Sequence, residues 1–105
     1  MVREFVKVCR ENDVAEGSIK NFNVDGRSIA LAMYNGAIYA VDDVCTHDGG
    51  DLGGGDIVDG QVQCPRHGAR FDLKTGEATQ MPAVMGIKTY KVKIEDGNVL
   101  IAFED

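Results

Sequence analysis

Four dipeptides, Asp25-Gly26, Asn35-Gly36, Asp59-Gly60 and Asp96-Gly97, constrain this chain more than any other local feature. An Asp or Asn followed by Gly accepts positive φ at low cost, as a tight hairpin turn demands. Ser18 to Val24 and Arg27 to Tyr34 flank the first pair, and Ala37 to Val41 follows the second. These segments read as a three-stranded meander, in which Ile29, Leu31 and Met33 alternate with smaller residues and Tyr34. After the third pair, Gln61 to Gln63 is a short strand and Arg70 to Leu73 its return, closed by Lys74-Thr75-Gly76. Around the fourth, Tyr90, Val92 and Ile94 point one way and Lys91 and Lys93 the other, and Val99 to Phe103 completes a terminal hairpin with one buried face. Glu4 to Cys9 reads as a first strand, broken by Glu11-Asn12-Asp13 and Glu16-Gly17. No stretch sustains a helical period, so the expected fold class is all-β.

Inside this pattern lie two short blocks, Cys45-Thr46-His47 and Cys64-Pro65-Arg66-His67, which hold both histidines and two of the three cysteines. Two thiolates and two imidazoles suit a metal centre. A closed zinc site accepts two Cys and two His, but its ligands usually come as a Cys-Cys block followed by a His-His block. Here each block has one Cys and one His, so two loops lying side by side present cysteines on one side and histidines on the other. Such sorting suits two unlike metal ions, as where two Cys hold one iron and two His hold the other.

Cys45-x-His47, sixteen intervening residues, and Cys64-x-x-His67 resemble the ligand motif of Rieske iron-sulfur proteins, and Gly68 follows the second block as is common there. The likeness continues through Phe71-Asp72, Lys74-Thr75-Gly76 and Met81-Pro82-Ala83, so it covers the whole small domain. It implies a Rieske-type antiparallel β-sandwich base carrying an inserted cluster-binding subdomain. Residues 1–105 form one domain, with 43–83 inserted in a base built from 1–42 and 84–105. The implied cofactor is one 2Fe-2S cluster held by Cys45, His47, Cys64 and His67. Four protein ligands and two bridging sulfides saturate both irons. No position stays open for substrate, no catalytic residue is expected, and the expected function is one-electron transfer. Among Rieske proteins a small acidic chain of this kind resembles the ferredoxins of ring-hydroxylating dioxygenase systems. Its implied partners are a flavin-dependent ferredoxin reductase and a terminal oxygenase, bound transiently. Rival readings are a small Rieske subunit of a nitrite reductase-like enzyme and a structural zinc-binding module.

Departures from the high-potential branch of the family are informative. The resemblance places Gly50 and Arg66 where respiratory members carry the cysteines of a disulfide, and Ala69 where a serine often donates to sulfide. Both point to the low end of the Rieske potential range, around −150 mV. Glycines 49, 50, 53, 54 and 55 make the stretch from Asp42 to Asp59 a loop whose backbone can approach cluster sulfur. Met81-Pro82-Ala83 resembles the proline-bearing loop that covers the cluster.

Charge narrows the partners. With 11 Lys and Arg against 17 Asp and Glu, a net of −6, the chain lacks the basic surface that nucleic acid demands. The same charge can steer the protein to basic docking sites. The N-terminal run alternates charged and apolar residues, so neither a signal peptide nor a membrane span is expected there. With two of three cysteines claimed as ligands, no disulfide framework is available, and the expected compartment is the cytoplasm. Cys9 is the spare thiol, expected to be buried in its strand and inert.

Overall fold

A computed structural model of the chain describes residues 2–43, 55–64, 68–81 and 85–104. In chain order the strands are β1 (Val2–Arg10), β2 (Ile19–Val24), β3 (Arg27–Tyr34), β4 (Ala37–Asp42), β5 (Asp56–Val58), β6 (Gln61–Gln63), β7 (Arg70–Asp72), β8 (Ala78–Gln80), β9 (Thr89–Glu95) and β10 (Asn98–Glu104). One 3-10 turn, Glu11–Asp13, follows β1. All strand pairs are antiparallel. The all-β expectation holds, and none of the described helices is long and apolar enough to cross a membrane.

Each of the four turn dipeptides does what its chemistry suggests. φ is positive at both residues of Asp25-Gly26, Asn35-Gly36, Asp59-Gly60 and Asp96-Gly97. That backbone matches the right-handed twist of the flanking strands, so these turns join β2 to β3, β3 to β4, β5 to β6 and β9 to β10. The second turn is also held from outside: the backbone N–H groups of Asn35 and Gly36 each donate to the Glu16 carboxylate at 2.8 Å.

The hairpins assemble into two sheets. One has six strands in the order β1-β10-β9-β4-β3-β2, the other four in the order β5-β6-β7-β8. β4 and β9 pair only at Ala40–Tyr90 and Val41–Thr89. About this short seam the two halves of the large sheet close on a core of Cys9, Val24, Ile29, Leu31, Tyr90, Val99 and Ile101. The small sheet packs on the opposite face of the β3–β4 hairpin. There Ala30, Ala32 and Val41 meet Val62, Cys64, Ala69, Phe71, Leu73 and Ile87 in a second core. The large sheet thus draws its strands from residues 2–42 and 89–104, and the small sheet from 56–80.

Three expectations need correction. The stretch from Asp42 to Asp59, read as continuous loop, has Asp42 as the last residue of β4 and the strand β5 at Asp56–Val58. β8, Ala78–Gln80, was not expected at all. Three residues are too few to display alternation, and both strands exist because β6 and β7 offer them hydrogen-bonding edges. The buried face of β9 also fades along the strand: Tyr90 is buried and Val92 half-buried, but Ile94 is 44% exposed.

Backbone hydrogen bonds close the turns of the small sheet, and the last of them, from Ile87, ties it to the base. Leu73 N–H donates to Gly60 carbonyl at 3.1 Å, Gly76 N–H to Asp72 carbonyl at 2.8 Å, and Ile87 N–H to Gly76 carbonyl at 2.7 Å. Gly76 adopts φ +78°, and a Cβ built there would run into the carbonyl oxygen of Ile87. Gly26 adopts φ +82° with nothing near its would-be Cβ. The two glycines therefore separate strain from collision. Gly26→Ala should cost about 1–2 kcal/mol, the strain of a left-handed backbone alone. Gly76→Ala should cost at least about 1 kcal/mol more, because the Ile87 backbone must also move. Chemical denaturation of the two variants checks this, and equal losses would show that the Gly76–Ile87 contact yields freely.

Candidate metal centre

Of the four residues expected to bind metal, the described part of the structure contains Cys64. Cys45, His47 and His67 lie outside the described residues, as do Gly50, Arg66, Pro82 and Ala83. Cys64 directly follows β6 and is 1% exposed, in the second core with Val62, Ala69, Phe71 and Leu73. Its N–H donates to the Ala69 carbonyl at 2.7 Å, and its carbonyl accepts from Gly68 N–H at 3.2 Å. These bonds extend the β6–β7 ladder past Gln63–Arg70 and pin the sulfur-bearing residue where the hairpin opens. The Arg70 guanidinium also bonds the Gln63 side chain at 2.9 Å across the two strands. Ala69, with its carbonyl committed to Cys64, is fully buried.

β4 leads toward the other block of expected ligands, Cys45-Thr46-His47. Asp42 N–H donates to Lys88 carbonyl at 2.9 Å, and its carboxylate accepts a hydrogen bond from the Tyr90 hydroxyl. Asp43 is 4% exposed, with its carboxylate bonded by the Asn21 amide and by the Ser28 hydroxyl at 3.2 Å. Asn21 also donates to Ser28 at 2.7 Å, and Asp43 N–H to Ser28 carbonyl at 3.1 Å. Sequence reasoning missed this network. The signal was present as an Asp-Asp doublet two residues before Cys45, with Asn21 and Ser28 at polar positions of neighbouring strands.

Among the described residues two groups have displaced pKa values. Tyr90 is pushed up to about 12, first by burial and then by its bond to Asp42, with Arg27 opposing. The Cys9 thiol is also raised, first by burial and then by Asp13, against the pull of Lys20. Cys9 is packed in the first core beside Val99. This agrees with the expected burial of Cys9.

A family model described as Rieske [2Fe-2S] domain matches residues 4–91. The chain belongs to this family. It is 36% identical over 104 residues to the ferredoxin component of the naphthalene 1,2-dioxygenase/salicylate 5-hydroxylase systems of Ralstonia sp, covering 99% of this chain and 100% of that one. Its structure superposes on the ferredoxin of carbazole 1,9a-dioxygenase from Nocardioides aromaticivorans IC177 with a TM-score of 0.91. Identity there is 27%, covering 97% of this chain and 100% of that one. It also matches a chain in a complex of reduced oxygenase and oxidized ferredoxin in carbazole 1,9a-dioxygenase, with a TM-score of 0.87 and 29% identity over 93% of this chain and 92% of that one. A putative nitrite reductase small subunit from Mycobacterium tuberculosis shares the fold at 21% identity, with a TM-score of 0.88, covering 100% of this chain and 98% of that one.

Membership of the Rieske family implies one 2Fe-2S cluster. The described residues fit it. Cys64, buried in one core with Val62, Phe71 and Leu73, offers a sulfur donor screened from water, as a cluster ligand requires. The Cys64–Ala69 and Gly68–Cys64 hydrogen bonds fix described residues on either side of 65–67, the stretch that contains the expected ligand His67.

Tyr90 yields a pH prediction. Its folded pKa, about 12, lies above the ordinary 10.0, so folding favours the neutral phenol. That contribution is fully present below pH 10.0 and is lost as pH rises toward about 12. Tyr90→Phe should therefore show a shallower loss of stability across this window than the native protein. Parallel denaturation curves at a series of alkaline pH values check it, and identical pH slopes would mean that Tyr90 ionises alike in both states.

Proposed function

We propose that this protein is a one-electron carrier that passes electrons from a flavin-dependent ferredoxin reductase to the terminal oxygenase of a ring-hydroxylating dioxygenase system. The observation that carries this reading is the end-to-end match, over 104 residues and 100% of the relative, to a protein named as the ferredoxin component of such a system. The match leaves no room on either side for a substrate-converting domain in that relative. The second reading, a small subunit of a nitrite reductase-like enzyme, rests on a likeness of fold alone.

Within this reading Cys45 and Cys64 hold one iron, and His47 and His67 hold the other. The cluster supplies a single reversible electron, and with four protein ligands and two bridging sulfides neither iron retains a place for substrate. The chain's own contribution is to hold its ligands, to exclude water from the cysteine side and to present the histidine side to partners. Burial of Cys64 supports the second of these. Residues 43–83 form the cluster-binding subdomain, inserted in a base of 1–42 and 84–105. The separate hydrogen bonding of the β5–β8 sheet supports this division. Met81, expected in the covering loop, is 71% exposed, so its side chain is available to a partner near that loop. The cytoplasm fits a carrier with a net charge of −6 and transient basic partners, with neither nucleic acid nor membrane among them.

Purified protein should be red-brown, with two irons and two labile sulfides per chain. Replacing His47 or His67 by Ala should remove or convert the cluster, because each leaves one iron short of a ligand. Iron and sulfide analysis with EPR checks this, and native spectra in both variants would overturn the ligand assignment. A zinc-containing, colourless protein would favour the structural module instead.

Acidic steering makes a separate prediction about salt. Electron delivery to the cognate oxygenase should slow as ionic strength rises and the Debye length falls from about 30 Å to about 8 Å. Stopped-flow reduction of the oxygenase measures it, and a rate independent of salt would reduce the charge to a solubility feature.

A further inference from the structure

Among the described residues Asp43 is the buried charged side chain. Burying a carboxylate costs several kcal/mol unless hydrogen bonds replace its water. An aliphatic side chain would fill the same space without that cost. What the carboxylate adds is direction, because its bonds to Asn21 and Ser28 have preferred distances and angles whereas apolar packing has none. Ser28 grips Asp43 twice, through its hydroxyl and through its carbonyl, which accepts Asp43 N–H. Asn21 and Ser28 are themselves bonded to each other across β2 and β3.

The neighbouring residue is held on the other side. Alternation along a strand sends Asp42 and Asp43 to opposite faces. Asp42 bonds the Tyr90 hydroxyl of β9 and the carbonyl of Lys88, while Asp43 bonds β2 and β3. The end of β4 is thus clamped from both halves of the large sheet. Cys45 comes two residues later, a reach of at most about 7 Å even when the chain is fully extended. A shift or rotation at Asp43 therefore passes to Cys45 with little chain to absorb it.

We propose that Asp43 is a positioning residue for the metal centre, held by Asn21 and Ser28 so that the chain leaves β4 toward Cys45 in one direction. The proposal rests on the reading of Cys45 as a cluster ligand. Asp43 touches neither iron nor sulfide in this role, and acts through the cysteine two residues on.

The test uses the purified cluster-bearing protein with three substitutions, Asn21→Ala, Ser28→Ala and Ser28→Thr. Iron and sulfide content, far-UV circular dichroism, EPR, the midpoint potential and the rate of iron loss to a chelator are measured for each. Both alanine variants should retain the β-sheet spectrum. Their EPR g-values should move or broaden, the potential should shift, and iron should be lost severalfold faster. Ser28→Thr keeps the hydroxyl and should return all three toward native values, which separates positioning from general loss of stability. Should Asn21→Ala fail to fold, the Ser28→Ala and Ser28→Thr pair carries the comparison alone. Native EPR, potential and iron release in Ser28→Ala with an intact cluster would overturn the proposal. Native protein without iron and labile sulfide would instead overturn the ligand reading beneath it, so the two failures are told apart.

Discussion

Strands β3 and β4 are buried on both faces, and the rest of the structure is arranged around that wall. On one side Ile29, Leu31 and Ala40 belong to the core enclosed by the large sheet. On the other, Ala30, Ala32 and Val41 belong to the core beneath the small sheet. Each fully buried Ile or Leu contributes about 1.5–3 kcal/mol of hydrophobic stabilisation, so a shift of the wall would cost both cores together. The pairing register keeps it thin: Leu31 faces Ala40 and Ala32 faces Tyr39, large beside small along the hairpin. Small alanines on the second face let the sheet bearing Cys64 come close.

Hydrogen bonds then convert this packed wall into fixed points next to the segments proposed to bind metal. Asp42 and Asp43 fix the end of β4, the Cys64–Ala69 bond fixes the mouth of the β6–β7 hairpin, and the Gly76–Ile87 bond ties the turn after β7 to the base. Packing brings these points near one another without setting their angles. Backbone and carboxylate hydrogen bonds set the angles, since they weaken steeply when misaligned. A carrier that converts no substrate has little use for a moving lid, and a rigid set of anchors suits it.

The division between what was legible and what was not follows the range of the interactions. Arg27–Tyr34 and Gln61–Gln63 coincide with β3 and β6. Their ends are marked by turn dipeptides whose positive φ is a property of two adjacent residues. β5 and β8 could not be read, because three residues carry no periodicity and their strand character comes from β6 and β7. Two-sided burial of β3 was likewise hidden: Ala30 and Ala32 read only as the smaller residues of an alternating strand, and a second sheet covers them.

The candidate metal centre divides in the same way. Both histidines and two of three cysteines fall in two short blocks, so the expected ligand set could be proposed from composition and spacing alone. Asp43 was not legible as an anchor, since its partners Asn21 and Ser28 precede it by 22 and 15 residues and meet it only when β2, β3 and β4 lie side by side. By itself the sequence determined the turns and the all-β class and nominated the donor atoms, because backbone strain at a turn and metal affinity of a thiolate or imidazole are local chemistry. Tertiary structure decided which strands exist beyond those turns, which faces are buried, and how the ends of β4 and β6 are held. Those depend on hydrogen-bonding edges and apolar surfaces that distant residues supply only after the chain has closed on itself.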